Sequence, residues 1–187
     1  MACRLMERLS DLVKCLICGY ELSGTTALSE LVRHHPRIDG RFEVGRLLFD
    51  SMTEYKSSVY WPFLKQYWNV DEAGEAFLFE AITLREFYER LIERSTIRKE
   101  IDFIYDKTPR YMLHLEGILE KTDLPCLVNV KDPRALFHSM KTRHTELELD
   151  EFFAHFESYA NGYAAAAERY SDRLCLVRNE DLCTRPL

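Results

Sequence analysis

Glycine and proline are scarce in this chain, at 7 and 6 of 187 residues. That scarcity excludes collagen-like, linker-rich and small-turn β architectures. An excess of cations is missing too: 25 Lys and Arg stand against 31 Asp and Glu, a net charge of −6. Non-specific nucleic-acid binding is thereby excluded, and an anionic ligand needs a local basic pocket because the average surface repels it. No apolar run approaches the roughly 20 residues of a membrane-spanning helix. The N-terminal stretch MACRLMERLSDLVKCLICGY is interrupted by Glu7, Arg8, Asp11 and Lys14, so it has no signal-peptide core. Internal repeats and low-complexity tracts are absent as well.

What is present is an ordinary globular composition, 47% hydrophobic and 30% charged, which excludes disorder and fits one domain over 1–187. Cys15 and Cys18 form a CxxC inside an apolar run that reads as a strand. A redox CxxC starts a helix, where the dipole lowers the thiol pKa, so these two are expected to be buried structural thiols. The expected compartment is the cytoplasm. No metal is expected: His34 and His35 are adjacent on a helix, point different ways, and have no Cys or carboxylate at ligand spacing.

Short apolar runs alternate with helical patterns along the chain. Lys14–Gly19 reads as a buried strand, followed by a helix from Thr25 to about His34 with Ala27, Leu28, Leu31 and Val32 on one face. A second strand is expected near Arg41–Glu43, then mostly helix over 45–100. There Phe77, Ala81, Leu84, Tyr88, Leu91 and Ile92 recur at helical spacing. IDFIYDKTP reads as a strand, Arg110–Lys121 as a helix, and PCLVNVKDP as the clearest buried strand. Pro133 opens a helix to about His144. A long helix carries Phe152, Phe156, Tyr159, Tyr163, Ala167 and Tyr170 as its core face, and LCLVRNEDL is the last strand. Strands separated by helices predict an α/β fold, a three-layer sandwich around a central parallel sheet.

In such folds ligands gather at the C-terminal ends of the strands. The first of these ends, Gly19-Tyr20-Glu21-Leu22-Ser23-Gly24-Thr25-Thr26, is a Gly-bracketed turn into a helix, a P-loop-like frame for phosphate. Its GxxxxG spacing matches a Walker A loop, but Thr25 stands where that motif needs Lys, which disfavours an ordinary ATPase or kinase. The second end, Asp106-Lys107-Thr108-Pro109-Arg110, puts two cations beside a rigid turn. The third is Val130-Lys131-Asp132-Pro133-Arg134 running into a helix, on which Ser139 and Arg143 are four apart and share a face. A hydroxyl and two cations on one surface can seat a phosphate.

Together these segments resemble the sulfotransferase family, which uses 3′-phosphoadenosine 5′-phosphosulfate (PAPS) and releases the bisphosphate PAP. LSGTTALSELVRHHP looks like the family's 5′-phosphosulfate loop and VKDPRALFHSMKTRH like its 3′-phosphate site, in the form closest to tyrosylprotein sulfotransferases. YDKTPRY matches a segment shared with carbohydrate and bacterial members, and LVRNEDLCTRP resembles a late strand followed by Pro. The resemblance runs from about Lys14 to Pro186. It implies that Ser23, Gly24, Thr25 and Thr26 hold the 5′-phosphosulfate and that Lys131, Ser139 and Arg143 hold the 3′-phosphate. It further implies that Lys107 stabilises charge near the transferring group, and that Glu43 in FEVG takes the proton from a hydroxyl acceptor.

Departures from the pattern accompany it. Leu22 stands where the family has Lys or Arg, Lys131 replaces Arg, and Asn179 replaces Tyr. The resemblance also implies that the C-terminal part of the family fold, which covers the nucleotide, is missing from these residues. The expectation is therefore a PAPS-dependent sulfotransferase acting on a sugar, tyrosine or small alcohol. The alternatives are an impaired PAP-binding or partner-binding remnant of the same fold, and third a P-loop kinase. A homo-oligomer is allowed, and the aromatic stretch Tyr55, Tyr60, Trp61, Phe63, Tyr67 and Trp68 is expected to be mainly packing.

Overall fold

Lys14 sets the phase of the first strand. The apolar run Val13–Gly19 forms β1, and Lys14 is its one exposed residue. Pairing shifts register between Val13 and Cys15, which leaves Lys14 at an irregularity in the ladder. Val13, Leu16 and Cys18 consequently join one core, while Cys15 and Ile17 face the other. The structure is a computed structural model and describes residues 8–95, 97 and 100–184. Expectations that touch Cys3, Glu7 and Pro186 lie outside the described residues.

The remaining strands are β2 (Ile38–Asp39), β3 (Phe103–Lys107), β4 (Cys126–Val130) and β5 (Leu174–Arg178). They form a five-stranded parallel sheet of order β2-β3-β1-β4-β5, with β1 at its centre. Helix α1 (Thr25–Arg33) joins β1 to β2. Four helices then precede β3: α2 (Met52–Lys56), α3 (Tyr60–Trp68), α4 (Glu72–Phe79) and α5 (Leu84–Arg94). Helix α6 (Leu115–Lys121) leads to β4, α7 (Pro133–Arg143) and α8 (Leu149–Tyr170) lead to β5, and α9 (Asn179–Thr184) follows it. The α/β architecture with a central parallel sheet flanked by helices is as expected. The side on which strands are added switches at β1: β2 and β3 lie to one side of it, and β4 and β5 to the other. That makes the end of β1 the switch point where a ligand crevice opens.

The two faces are unequal. Leu28 of α1 and Leu182 of α9 pack with Cys15, Ile17 and Tyr105 in a small cluster. The larger core lies on the other face, where Trp68, Phe87, Tyr88, Tyr111, Phe152 and Tyr159 are each at most 2% exposed. Burying each such side chain contributes about 1.5–3 kcal/mol before ordering costs, so this face dominates stability. Cys15 and Cys18 are buried and free, as expected of structural thiols, and burial pushes the Cys15 thiol up to about 12. The Cys18 sulfur lies 3.4 Å from that of Cys126 across the β1–β4 pair. Among the described residues no helix is long and apolar enough to cross a membrane, and no cluster of ligand side chains could hold a metal.

Several local expectations are corrected. The second strand is Ile38–Asp39 rather than Arg41–Glu43. Asp39 is fully buried there because Arg33 and Arg41 pair with it, a carboxylate that an apolar-pattern reading passes over. On α1 Leu28 is buried but Ala27 and Leu31 face outward, since the sheet-facing side runs through Thr25, Leu28 and Ser29. The stripe from Phe77 to Ile92 spans two helices, because Thr83 and Glu86 form a capping box that starts α5 afresh. Arg110–Lys121 is a tight 3₁₀ segment over Pro109–His114 before α6 begins. In the aromatic stretch Tyr55, Tyr60, Trp61 and Trp68 are buried packing, but Phe63 and Tyr67 are 40% and 44% exposed.

Candidate functional site

The turn after β1 is held from outside itself. Ser23 is fully buried; its N–H donates to the Tyr20 carbonyl (3.1 Å) and its hydroxyl to the Asn129 carbonyl (3.3 Å). Asn129, at the end of β4, returns a bond from Nδ2 to the Ser23 carbonyl at 2.9 Å. Ser23 therefore braces the turn, while Gly24, Thr25 and Thr26 line the open space beyond it. Gly24 has φ 100 and caps α1 with no side-chain hydrogen bond, so the first amides of α1 are left for an anion. A Cβ on Gly24 would lie 2.2 Å from Asn179 Oδ1. Gly24→Ala is expected to lower stability by at least about 1–2 kcal/mol, the ordinary cost of a left-handed non-glycine residue. Urea unfolding checks this, and an unchanged midpoint would refute it.

Leu22 adopts φ 66, a left-handed conformation uncommon for a branched side chain, and it lines the same space. Carbon side chain there means no cation at that wall. The space is a cavity of about 570 Å³, bounded by the loop residues, Phe42, Glu43 and Pro109, and by Ser139, Met140, Arg143 and His144 of the α7 end. Three chain segments that are far apart in sequence thus meet at one opening. Lys131 does not line it, but its Nζ donates to the Ser139 hydroxyl at 2.9 Å, and Ser139 in turn donates to the Ala135 carbonyl. Asp132 caps α7 through the Arg134 amide, and Arg134 holds its carboxyl far below the usual range. Glu180 of α9 accepts from the Asp132 amide at 2.8 Å, tying the last strand end to the third loop.

Glu43 lies beyond β2 in an irregular segment. Its Oε1 accepts from Lys107 Nζ at 3.4 Å, with the two side chains 19% and 2% exposed. Burial raises the Glu43 carboxyl above its ordinary value, and Lys107 pulls it only part of the way back. Burial likewise lowers the Lys107 ammonium, against the opposing pull of Glu43. Lys107 also lies 4.1 Å from the centre of the Phe42 ring. It lines a second cavity of about 180 Å³ on the α1 side, with Ser29, Arg33, Arg41, Phe42 and Tyr67. Phe42 and Thr26 border both cavities, whereas Lys107 lines only the smaller one. The exposed rings of Tyr67 and Phe63 lie 4.5 Å and 6.0 Å from that of Phe42.

Of the residues expected at the site, Gly24, Thr25, Thr26, Glu43, Ser139 and Arg143 share one cavity. Ser23, Lys131 and Lys107 each contact it through a neighbour. Sequence reasoning missed His144, Met140 and Phe42 on the wall, and Asn129 and Asn179 behind the loop. Asn129 had a signal: a fully buried amide interrupting the apolar run LVNV. The lining carries groups suited to anions at two places, the first amides of α1 on one side and Arg143 on the other.

No family model and no curated protein sequence matches this chain. Among solved structures of similar fold is a sulfotransferase from Alicyclobacillus acidocaldarius, with a TM-score of 0.55 and 15% identity. The match covers 93% of this chain and 76% of that one, and it is a likeness of fold.

Proposed function

We propose that the larger cavity binds PAPS and that the chain transfers its sulfuryl group to a hydroxyl-bearing acceptor. The observation that carries this reading is the meeting of Gly24, Thr25 and Thr26 with Ser139, Arg143 and Glu43 around one cavity. When bound, PAPS supplies a sulfuryl group whose leaving partner is the stable bisphosphate PAP. The amides at the start of α1, with Thr25 and Thr26, hold the 5′ end, and Arg143 with the Lys131–Ser139 pair holds the 3′-phosphate. Glu43 accepts the proton of the acceptor hydroxyl, and the burial that raises its pKa makes it a stronger base than an exposed glutamate. Lys107 keeps the Glu43 carboxylate oriented and partly compensated. The exposed rings of Phe63 and Tyr67 beside Phe42 offer a flat apolar surface for the acceptor.

A specific observation favours a second reading, a nucleotide-binding protein without transfer. Leu22 puts no cation at the cavity wall, and Lys107 is buried and lines only the smaller cavity. The kinase reading has no such support, because Thr25 occupies the position of the phosphate-binding Lys. Calorimetric titration with PAP, with ATP–Mg²⁺ as control, separates the first two readings from the kinase, and an assay of sulfuryl transfer from PAPS separates those two from each other. Micromolar PAP binding with weak ATP binding supports the nucleotide site, and tighter ATP–Mg²⁺ binding revives the kinase. In the same assay Arg143→Ala is expected to weaken PAP by roughly 10- to 100-fold, the range of a lost charge-assisted hydrogen bond. Affinity for 5′-AMP, which has no 3′-phosphate, should change little. Equal losses for both ligands would remove Arg143 from the 3′-phosphate site.

A further inference from the structure

Beneath Glu43 lies a buried carboxylate that the reaction does not use. Asp106 is fully buried at the end of β3 and accepts three hydroxyl protons. Tyr88 and Tyr111 donate to Oδ2 at 2.6 Å and 2.7 Å, and Thr108 donates to Oδ1 at 3.1 Å. Two of these hydroxyls have a second partner. The Thr108 oxygen accepts from the Gly45 amide at 3.0 Å, and the Tyr111 oxygen accepts from the Leu47 amide at 3.4 Å. Both amides belong to the segment that carries Glu43.

We propose that Asp106 is a positioning residue for Glu43, acting through the Thr108 and Tyr111 hydroxyls that hold the backbone at Gly45 and Leu47. A hydroxyl has one proton. While that proton points at the carboxylate, the oxygen lone pairs face the other way and accept from the segment. An ionised carboxylate, with two acceptor oxygens, holds all three hydroxyls in this orientation together. An amide in its place keeps one acceptor oxygen. Whichever position its NH₂ takes, Thr108 or Tyr111 loses its acceptor, and its proton must turn elsewhere, which loosens the orientation that accepts from the segment.

The geometry makes this hold matter. Gly45 has φ 71, and a Cβ there would meet the Tyr60 ring at 2.3 Å, so the turn is fixed by its surroundings rather than by propensity. Tyr55 donates to the Val44 carbonyl at 2.5 Å and Trp68 to the Phe42 carbonyl at 2.8 Å. Those bonds fix carbonyls, whereas the Asp106 relay fixes the Gly45 and Leu47 amides. Burial pushes the Asp106 carboxyl up to about 6, with the three hydroxyls opposing. Its relevance to transfer rests on the reading of Glu43 as the base; its hold on the segment does not.

The test is amide hydrogen exchange by NMR on the full chain, together with the Glu43 side-chain carboxyl signal. In Asp106→Asn, exchange at Gly45 and Leu47 is expected to rise at least tenfold relative to Leu16 and Ile104, which are bonded within the sheet. The Glu43 signal should shift, and Tyr88→Phe, which removes a donor without touching the segment, should leave both amides protected. Unchanged exchange at Gly45 and Leu47, or an equal rise at all four amides, overturns the proposal. Should Asp106→Asn not fold, Thr108→Val takes its place: the Gly45 amide alone should open, and an unmoved Glu43 signal overturns the proposal. Titration with PAP on the same samples keeps the two readings apart. Absence of PAP binding with the expected exchange pattern would end the PAPS reading and leave the positioning role standing.

Discussion

Replacing Glu43 by glutamine is expected to lower sulfuryl transfer from PAPS by roughly 10²- to 10⁴-fold, the usual contribution of a positioned general base. PAP affinity should stay within about twofold, because the residues proposed to hold its phosphates lie on α1 and α7. Glutamine keeps the shape of the side chain and an oxygen for the Lys107 ammonium at 3.4 Å, so the pair's geometry survives. What it removes is the ability to take a proton. The same argument fixes the pH dependence. Glu43 must be ionised to act, and burial raises its pKa. Transfer should therefore fall on the acid side at a higher pH than an ordinary glutamate would give, and that limb should vanish in Glu43→Gln. Steady-state rates across pH check both points, and a fully active glutamine variant would dismiss Glu43 as the base.

A gain is expected from Leu22→Arg, about 10²-fold in transfer rate. The magnitude follows from what one electrostatic contact to developing charge contributes, on the order of 3 kcal/mol. Leu22 already sits at φ 66 on the cavity wall, so arginine meets the same backbone cost as the leucine it replaces. Stability should change little for that reason. Its guanidinium would join a wall whose neighbouring carboxylates are Glu21 and Glu43. Single-turnover transfer from PAPS is the measurement. An unchanged rate in a variant that still binds PAP would show that the missing cation is not what limits transfer.

The architecture was legible because buried parallel strands announce themselves as apolar runs, and β1, β3 and β4 each stand between polar turns. The turn from β1 into α1 was legible from Gly24 and the two threonines beside it. The same chain hid β2, because two residues carry no periodicity and one of them is Asp39, a carboxylate held inside by Arg33 and Arg41. Expecting Ala27 and Leu31 to face the sheet failed for a related reason: the polar Thr25 and Ser29 take the buried side beside the ligand turn. Within the site, residue types such as Lys107 and Arg143 could be picked out, but not which cavity each would line. That partition is a matter of packing that spacing along a chain does not encode. Asp106 was invisible as an organiser for a similar reason, since its three donors come from α5, the 3₁₀ segment and the strand end.

The bonds between Ser23 and Asn129 have a consequence for the order in which the molecule assembles. These residues are 106 positions apart, and the turn after β1 is closed by the far end of β4. Closing so long a segment is entropically unfavourable until other contacts compensate it, so such pairings form late and make folding slow. The backbone hydrogen bonds of helix α1 are local and can form early. The turn at its head acquires its shape only after the later strands have docked on β1. Refolding followed by a local helix signal should run ahead of recovery of the site, and the native turn is in effect the timestamp of a completed sheet.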